Sequence, residues 1–435
     1  MIVPNRLIFY LSIISPFTIL FYQSKVSLYC YFSLILLMMI ASIFDIIWGK
    51  RKLKKLDFTA ASSVMLKKDL ENNIEFIITN NSDEFKETKI KLLAPEELCI
   101  KESIIFTNIP KGKNSFSYTV TPTKRGDFTL TSIIVELPTP LKLWKLKKTF
   151  SINLSCKVYP NLNKEKSDFV KLLATIKNGS VLQRFTGQGR EFDELREYVN
   201  GDPFNIISWK ATAKKGRPIT KKFKIESTQD IYTIIDTSRL SKQLVDDVSV
   251  LENYIKTSLI LGQLVQSQDD AYGVVSFDTN VNTFIKANIG KEHYNLCRES
   301  IYKLQPEDYN QDFGNLFSFI SLHIRKRALL VFLTDITELI DNENFLRNIK
   351  ILSRKHLCLI FSIVNKHSEP FFSGDQPITE DMLSDKLASH INWENIVITK
   401  QKLYNIGVNF KVISADKLNS ALLNEYIQIK KRQIL

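Results

Sequence analysis

Cysteine is scarce and scattered in this chain. The five thiols, at 30, 99, 156, 297 and 358, form no CxxC pair, which excludes a zinc ribbon and a thioredoxin-like redox motif. An odd, sparse set of this kind suits a reducing compartment. Histidine is equally thin, at 293, 323, 356, 367 and 390, with no HExxH or other two-histidine ligand spacing. Also missing is any P-loop GxxxxGK[ST]. Gly187-Gln-Gly189 is too short for a dinucleotide fingerprint, and a phosphotransferase of the Asp-x-Asp type is excluded because Ser238 follows Asp236 two residues on. Excess charge of one sign is weak outside the N-terminus. The chain carries +13, and residues 1–55, with seven bases against Asp45, account for +6 of it. The remainder is too mildly basic for a dedicated nucleic-acid binder. What is present is apolar content of 44% spread over 435 residues, enough for two or three domains.

Two apolar runs open the chain, Leu7 to Tyr22 and Val26 to Trp48, separated by Gln23-Ser24-Lys25. Roughly 20 apolar residues span a bilayer as a helix, so the pair predicts a transmembrane hairpin within residues 1–55. The cluster Lys50-Arg51-Lys52-Leu53-Lys54-Lys55 follows the second run. The positive-inside rule therefore puts both ends of the hairpin and the rest of the chain in the cytoplasm, anchored at the inner membrane. Asp45 is expected near the hydrated interface.

Residues 56–160 read as short strands punctuated by turns. Asn73–Thr79, Lys89–Leu93, Ser115–Val120, Asp127–Leu130 and Ile133–Glu136 alternate, and Pro110-Lys-Gly-Lys113 and Pro122-Thr-Lys-Arg-Gly126 turn. That spacing predicts a β-sandwich. From 229 to 435 the pattern changes. Continuous apolar strands (231–235, 272–277, 328–333, 357–364, 409–413) alternate with helical stretches (243–266, 291–304, 312–326, 378–405, 415–431). This predicts an α/β domain with a mostly parallel, doubly wound sheet. Residues 161–228 join the two.

Ligand chemistry on such a sheet belongs at the carboxyl ends of its strands. Asp236-Thr-Ser238 ends the first strand and Thr334-Asp335 ends the fourth. The arrangement resembles the metal motif of von Willebrand A domains, in which Asp-x-Ser-x-Ser, a Thr and a second Asp hold one Mg²⁺. Asp236, Ser238 and Asp335 match. Position 240 is Leu, Ser241 comes one residue late, and the loop due to supply Thr reads Asn310-Gln311-Asp312-Phe313. The resemblance therefore implies a degenerate Mg²⁺ site.

The most distinctive stretch runs from Gly187 to Ala213. Gly189, Glu191, Phe192, Leu195, Arg196, Tyr198, Gly201, Asp202, Ile207, Trp209, Ala211 and Ala213 resemble the signature of the bacterial domain-of-unknown-function 58 family. The order of parts agrees: hairpin, β-domain, degenerate A-type domain. The resemblance implies a membrane-anchored, non-enzymatic adaptor without a resident cofactor, working with a MoxR-type AAA+ ATPase in assembly or maturation of other proteins. Two alternatives stay open, a Mg²⁺-dependent ligand-binding domain and a hydrolase at the strand-end aspartates. From the residues themselves, Phe192, Leu195, Tyr198 and Trp209 read as a buried clasp, Glu191 and Arg196 as an ion pair, and Gly201-Asp202-Pro203 as a turn. Seven bases and no acid lie between Pro203 and Ile225, a run suited to a solvated face or to phosphate and anionic lipid.

Overall fold

The computed structural model describes residues 2–4, 25–163, 186–187, 191–224, 228–336, 342–364, 370–371 and 380–432. The chain divides into two compact units, Met1–Asn161 and Leu162–Leu435.

In the first unit, β1 (Ile2–Pro4) and helix α1 (Lys25–Lys54) precede nine strands. These are β2 (Leu56–Ala60), β3 (Ser63–Lys67), β4 (Asn72–Asn80), β5 (Phe85–Leu93), β6 (Leu98–Ile100), β7 (Ile104–Ile109), β8 (Gly112–Pro122), β9 (Gly126–Pro138) and β10 (Trp144–Tyr159). They form two sheets, β1-β10-β9-β5-β7 with β3 beside β10, and β2-β4-β8-β6. Alternation does the sorting. In β4, Ile74, Phe76 and Ile78 turn into the core while Glu75 and Ile77 face out. Across the core they meet Leu130, Val135 and Leu154. The buried Tyr118 hydroxyl donates to the Ile90 carbonyl (2.8 Å), tying one sheet to the other. The two strands expected at 127–130 and 133–136 are one, β9. The irregularity sits in its partner β10, where the register shifts between Ser151 and Leu154.

The transmembrane hairpin finds no support here. Its first run lies outside the described residues. The second run folds into α1, but among the described residues no helix is long and apolar enough to cross a membrane. The last turns of α1 are committed to the sandwich instead. Asp45 is fully buried rather than interfacial; it accepts from the Thr139 hydroxyl (2.5 Å) and the Leu141 amide (2.9 Å). The Trp144 indole donates to Ser42 (2.8 Å). A Cβ on Gly49 would stand 2.8 Å from Leu146 Cδ1, so the helix approaches the sheet as closely as glycine permits.

The second unit opens with a small sheet. β11 (Thr186–Gly187), β12 (Glu191–Glu197), helix α2 (Trp209–Lys215) and β13 (Ile219–Lys224) follow in order, with strand order β11-β13-β12. The main sheet contains β14 (Asp230–Asp236), β17 (Ala271–Phe277), β18 (Val281–Asn288), β19 (Ala328–Leu333), β20 (Leu357–Ile363) and β21 (Asn409–Ile413). A minor hairpin, β15 (Leu244–Val245) and β16 (Val248–Ser249), stands apart. The helices are α3 (Val250–Ser267), α4 (Lys291–Ile301), α5 (Phe313–His323), α6 (Glu343–Lys355), α7 (Glu380–Ile406) and α8 (Leu418–Arg432). Strand order is β18-β17-β14-β19-β20-β21, parallel except at the β17–β18 edge. One face packs under α3, α4 and α8 and the other under α5, α6 and α7. This is the α/β, von Willebrand A-like fold that the apolar runs and strand-end motif predict. Helix α3 begins at Val250, later than expected. Asp246 and Asp247, both at positive φ, turn the β15–β16 hairpin, and Ser249 then caps the helix by accepting from Glu252 N.

Candidate functional site

The order of the main sheet reverses between β14 and β19, so the loops after these strands diverge and leave a crevice. Asp236 ends β14 and Thr334-Asp335 follows β19, which places both aspartates at the crevice. The Thr334 hydroxyl donates to Asp236 Oδ2 (2.7 Å) and lies 3.1 Å from Gln311 Oε1. Gln311 Nε2 donates to the Asp335 carbonyl (3.0 Å). Asp236 Oδ1 accepts from the Ser238 amide (2.8 Å). Asp236 is 1% exposed and, among the described residues, has no ion-pair partner. Burial pushes its carboxyl above the ordinary carboxylate range, and the Asp335 charge pushes the same way, against the bonds from Thr334 and Ser238.

A cleft of about 260 Å³ opens beside this cluster. Asp236, Asp335, Gln243, Gln311, Tyr254, Ser362, Asn392 and Asn395 give it polar walls, and Val245, Val250, Ile363, Ile396 and Val412 apolar ones. Tyr254 is 1% exposed. Its hydroxyl faces Ser362 and the Ile363 backbone. Burial and the charges of Asp335 and Asp236 hold it protonated.

The three residues matched to the A-type metal motif are thus brought to one end of the sheet, but the remaining oxygens are engaged elsewhere. Ser241 donates to the Ser238 carbonyl (2.6 Å). Asp312 caps α5 by accepting from Gly314 N (2.8 Å) and Asn315 N (3.1 Å). Gln311 occupies the loop from which a threonine was due. Ser238 Oγ is fully buried and lies beside the Asp236 carboxyl. Mg²⁺ requires near-octahedral oxygen coordination, and as arranged this donor set does not provide it. Among the described residues no group of three His, Cys, Asp or Glu is placed to hold a metal. Elsewhere, Cys297 Sγ lies 3.6 Å from His293 Nε2, a pair the sequence reading passed over. Burial pushes that thiol up to about 12, and the same ring nitrogen lies 2.9 Å from the Tyr272 carbonyl. The geometry lacks the thiolate that nucleophilic chemistry needs.

The signature segment departs from the expected clasp. Trp209 is 69% exposed, and Leu195, Val199 and Phe204 are also exposed. Only Ile207 (9% exposed) and Ser208 are buried from Ile206-Ile207-Ser208-Trp209. Ile207 bridges Thr220, and Ser208 N donates to the Ile219 carbonyl (2.8 Å), which holds this corner against β13. Helix α2 then starts at Trp209 and turns its indole to solvent. Arg196 pairs with Asp202 (2.6 Å); the side chain of its expected partner Glu191 lies outside the described residues, together with that of Phe192. Asp202 also accepts from Val199 N (3.0 Å); that bond and the Arg196 guanidinium hold its carboxyl below the usual range. Gly201, at φ 109°, makes the predicted turn, and Tyr198 stacks on Phe204 (centroids 6.3 Å apart). Gly189 lies outside the described residues. Lys210, Lys214, Lys215, Arg217 and Lys221 are solvent-facing around this aromatic edge.

Residues 194–380 match the family model described as Protein of unknown function DUF58, the family that the signature stretch resembles. No curated protein matches the chain. Among solved structures, a conserved hypothetical protein BatB from Bacteroides thetaiotaomicron is 10% identical, covering 47% of this chain and 99% of its own, with a TM-score of 0.31. An aerotolerance-related membrane protein from Bacteroides fragilis is 13% identical over 47% and 99%, TM-score 0.29. The SpRpn10 VWA domain is 13% identical over 46% and 95%, TM-score 0.28. The fold assignment rests on the strand order above.

Proposed function

We propose that this DUF58 chain is a membrane-associated, non-enzymatic adaptor that works with a MoxR-type AAA+ ATPase in assembly or maturation of other proteins. The observation that carries the reading is the exposure of Trp209, Phe204, Val199 and Leu195 within the signature segment. Large apolar side chains on a surface ringed by lysines mark a contact for another macromolecule. Membrane association is supported by the exposed Tyr29, Phe32, Leu36, Leu37, Met39 and Ile40 along α1. The basic run at 50–55 supports a cytoplasmic location for the folded units. The decisive experiment is copurification of the full chain with the MoxR-type ATPase of the same organism. Trp209→Ala combined with Phe204→Ala should abolish recovery of the ATPase. Undiminished recovery refutes the adaptor surface.

A second reading, Mg²⁺-dependent ligand binding, draws on the closeness of Asp236 and Asp335 and on the buried Ser238 hydroxyl beside Asp236. It requires Thr334 and Ser241 to exchange their present partners for the metal.

A further inference from the structure

We propose that β7, at the edge of the larger sandwich sheet, is a docking edge for an extended acidic segment of a partner protein, which joins the sheet as an added strand. This goes beyond the adaptor reading and stands whether or not the Trp209 face holds an ATPase.

An edge strand offers a row of unpaired amides and carbonyls, and natural sheets guard such rows with charged side chains, proline or very short strands. β7 carries no guard of that kind. Ile104-Ile-Phe-Thr-Asn-Ile109 is six residues long, about 20 Å, and holds neither charge nor proline. Among the described residues its one strand neighbour is β5. The Leu92 amide donates to the Ser103 carbonyl (3.3 Å), and this bond fixes the phase of the ladder. Bonded pairs alternate, so Ile105, opposite Ile90, turns its backbone groups to β5, while Ile104 and Phe106 turn theirs to the open side. The same two residues put their side chains on the outer face, where Phe106 is 74% exposed. Beside the edge lies a hollow of about 340 Å³, lined by Ile90, Thr107 and Ile109 of this sheet and by Ile78 and Phe116 of the facing one. A strand laid along β7 would pair with the open groups and send alternate side chains toward that hollow.

Charge selects the occupant. On the outer face beside β7, Lys89 and Lys91 of β5 stand opposite Phe106 and Ile104, and Lys145 and Lys147 of β10 follow two strands further on. Glu136 is the acid set among them, 3.9 Å from Lys89 and 4.0 Å from Lys147. The Lys89 ammonium also lies 6.0 Å from the Phe106 ring centroid, within reach of whatever covers that ring. Four bases around one acid favour a segment with carboxylates on its outward side. The same lysines disfavour a second copy of this edge, because two β7 strands paired antiparallel would bring both sets together.

The test uses the full chain and dye-labelled peptides, read by fluorescence anisotropy. The probe is a peptide of about eight residues alternating valine and glutamate, long enough to cover β7. One control replaces each glutamate by lysine. Another is the acidic peptide N-methylated throughout, which removes its backbone donors. The acidic peptide should bind, and both controls should bind at least tenfold more weakly. Phe106→Pro removes one open-side amide without touching a bond to β5. It should weaken the acidic peptide at least tenfold relative to Phe106→Ala, which keeps that amide. Should the proline disturb folding, the N-methylated peptide on the parent chain carries the same comparison. No binding of the acidic peptide, equal binding of the lysine peptide, or equal binding of the N-methylated peptide each overturns the proposal. So does a dimer of the parent, seen by sedimentation, that Phe106→Pro abolishes, since it would give the edge to a second copy. The chain carrying Trp209→Ala and Phe204→Ala should bind the acidic peptide as the parent does, so the adaptor reading stands or falls separately.

Discussion

Adjacent positions in the signature segment make a sharp test of its role. Trp209 is 69% exposed and Ile207 9% exposed, two residues apart. A tryptophan removes roughly 150–250 Å² from water when fully covered. Here about a third is covered, or roughly 50–80 Å², which at ~25 cal/mol per Å² gives about 1–2 kcal/mol as an upper bound. Trp209→Ala should therefore cost about 1 kcal/mol, a melting shift of about 2–4 °C for a unit of this size. Ile207→Ala deletes buried methylenes and leaves a cavity, so it should cost about 2–5 kcal/mol. Differential scanning calorimetry on the two variants gives the comparison, with ATPase copurification as the second readout. Ile207→Ala should lower the melting temperature severalfold more than Trp209→Ala, and Trp209→Ala should lose partner. A Trp209→Ala variant that melts 10 °C or more below the parent and still recovers the ATPase would return the indole to a core and refute the surface assignment.

Other outcomes follow from the buried groups. Because the folded-state pKa of Asp236 is raised, its neutral carboxyl contributes stability fully present below the ordinary carboxylate value and lost as pH rises through the raised one. Asp236→Asn should therefore gain on the parent as pH climbs from about 4 to 8, and melts that differ by a constant across that range refute this. His356 has the opposite sign. It is buried, its ring nitrogens have no partner among the described residues, and burial, with the neighbouring Lys355, lowers its pKa to about 4. Stability held above its ordinary value of about 6.5 is lost as pH falls toward 4, by at most about 3 kcal/mol. His356→Phe should flatten acid sensitivity in that window, and urea midpoints at pH 7 and 4.5 check it. Mg²⁺ should bind weakly or not at all; calorimetry showing micromolar affinity lost in Asp236→Ala would show that the crevice rearranges around a metal.

Much of the α/β unit was legible because a strand buried on both faces has to be apolar throughout. Ile231–Ile235 and Ala328–Leu333 could therefore be placed, and with them the aspartates that follow. The wiring between the loops was not legible. Thr334 reaches Asp236 across 98 positions, and Gln311 reaches Thr334 across 23, pairings that only the closed sheet creates. Tyr254, Asn392 and Asn395 carried no local signal; one sits in an apolar helix and the others in an unremarkable amphipathic run. Trp209 misled because apolar content says that a residue prefers burial, not that its neighbours leave room for it. The bridge at Ile207 takes the buried position and the next helix rotates the indole away. β10 escaped notice because its lysines mask the alternation of Leu146, Ile152, Leu154, Cys156 and Val158.

The seam between α1 and the sandwich sets a rotational phase. Ser42, Asp45 and Gly49 lie on one side of the helix, spaced three and four residues apart, and each is matched to a feature of the β9–β10 corner. One residue inserted upstream, between Leu37 and Ser42, would turn Tyr29, Phe32 and Leu36 by about 100° about the helix axis while the seam stayed put; seven would bring them back to within about 20°. The helix is thus keyed like a shaft in its hub. Whatever apolar phase receives its outer turns, the sandwich meets that phase at one azimuth.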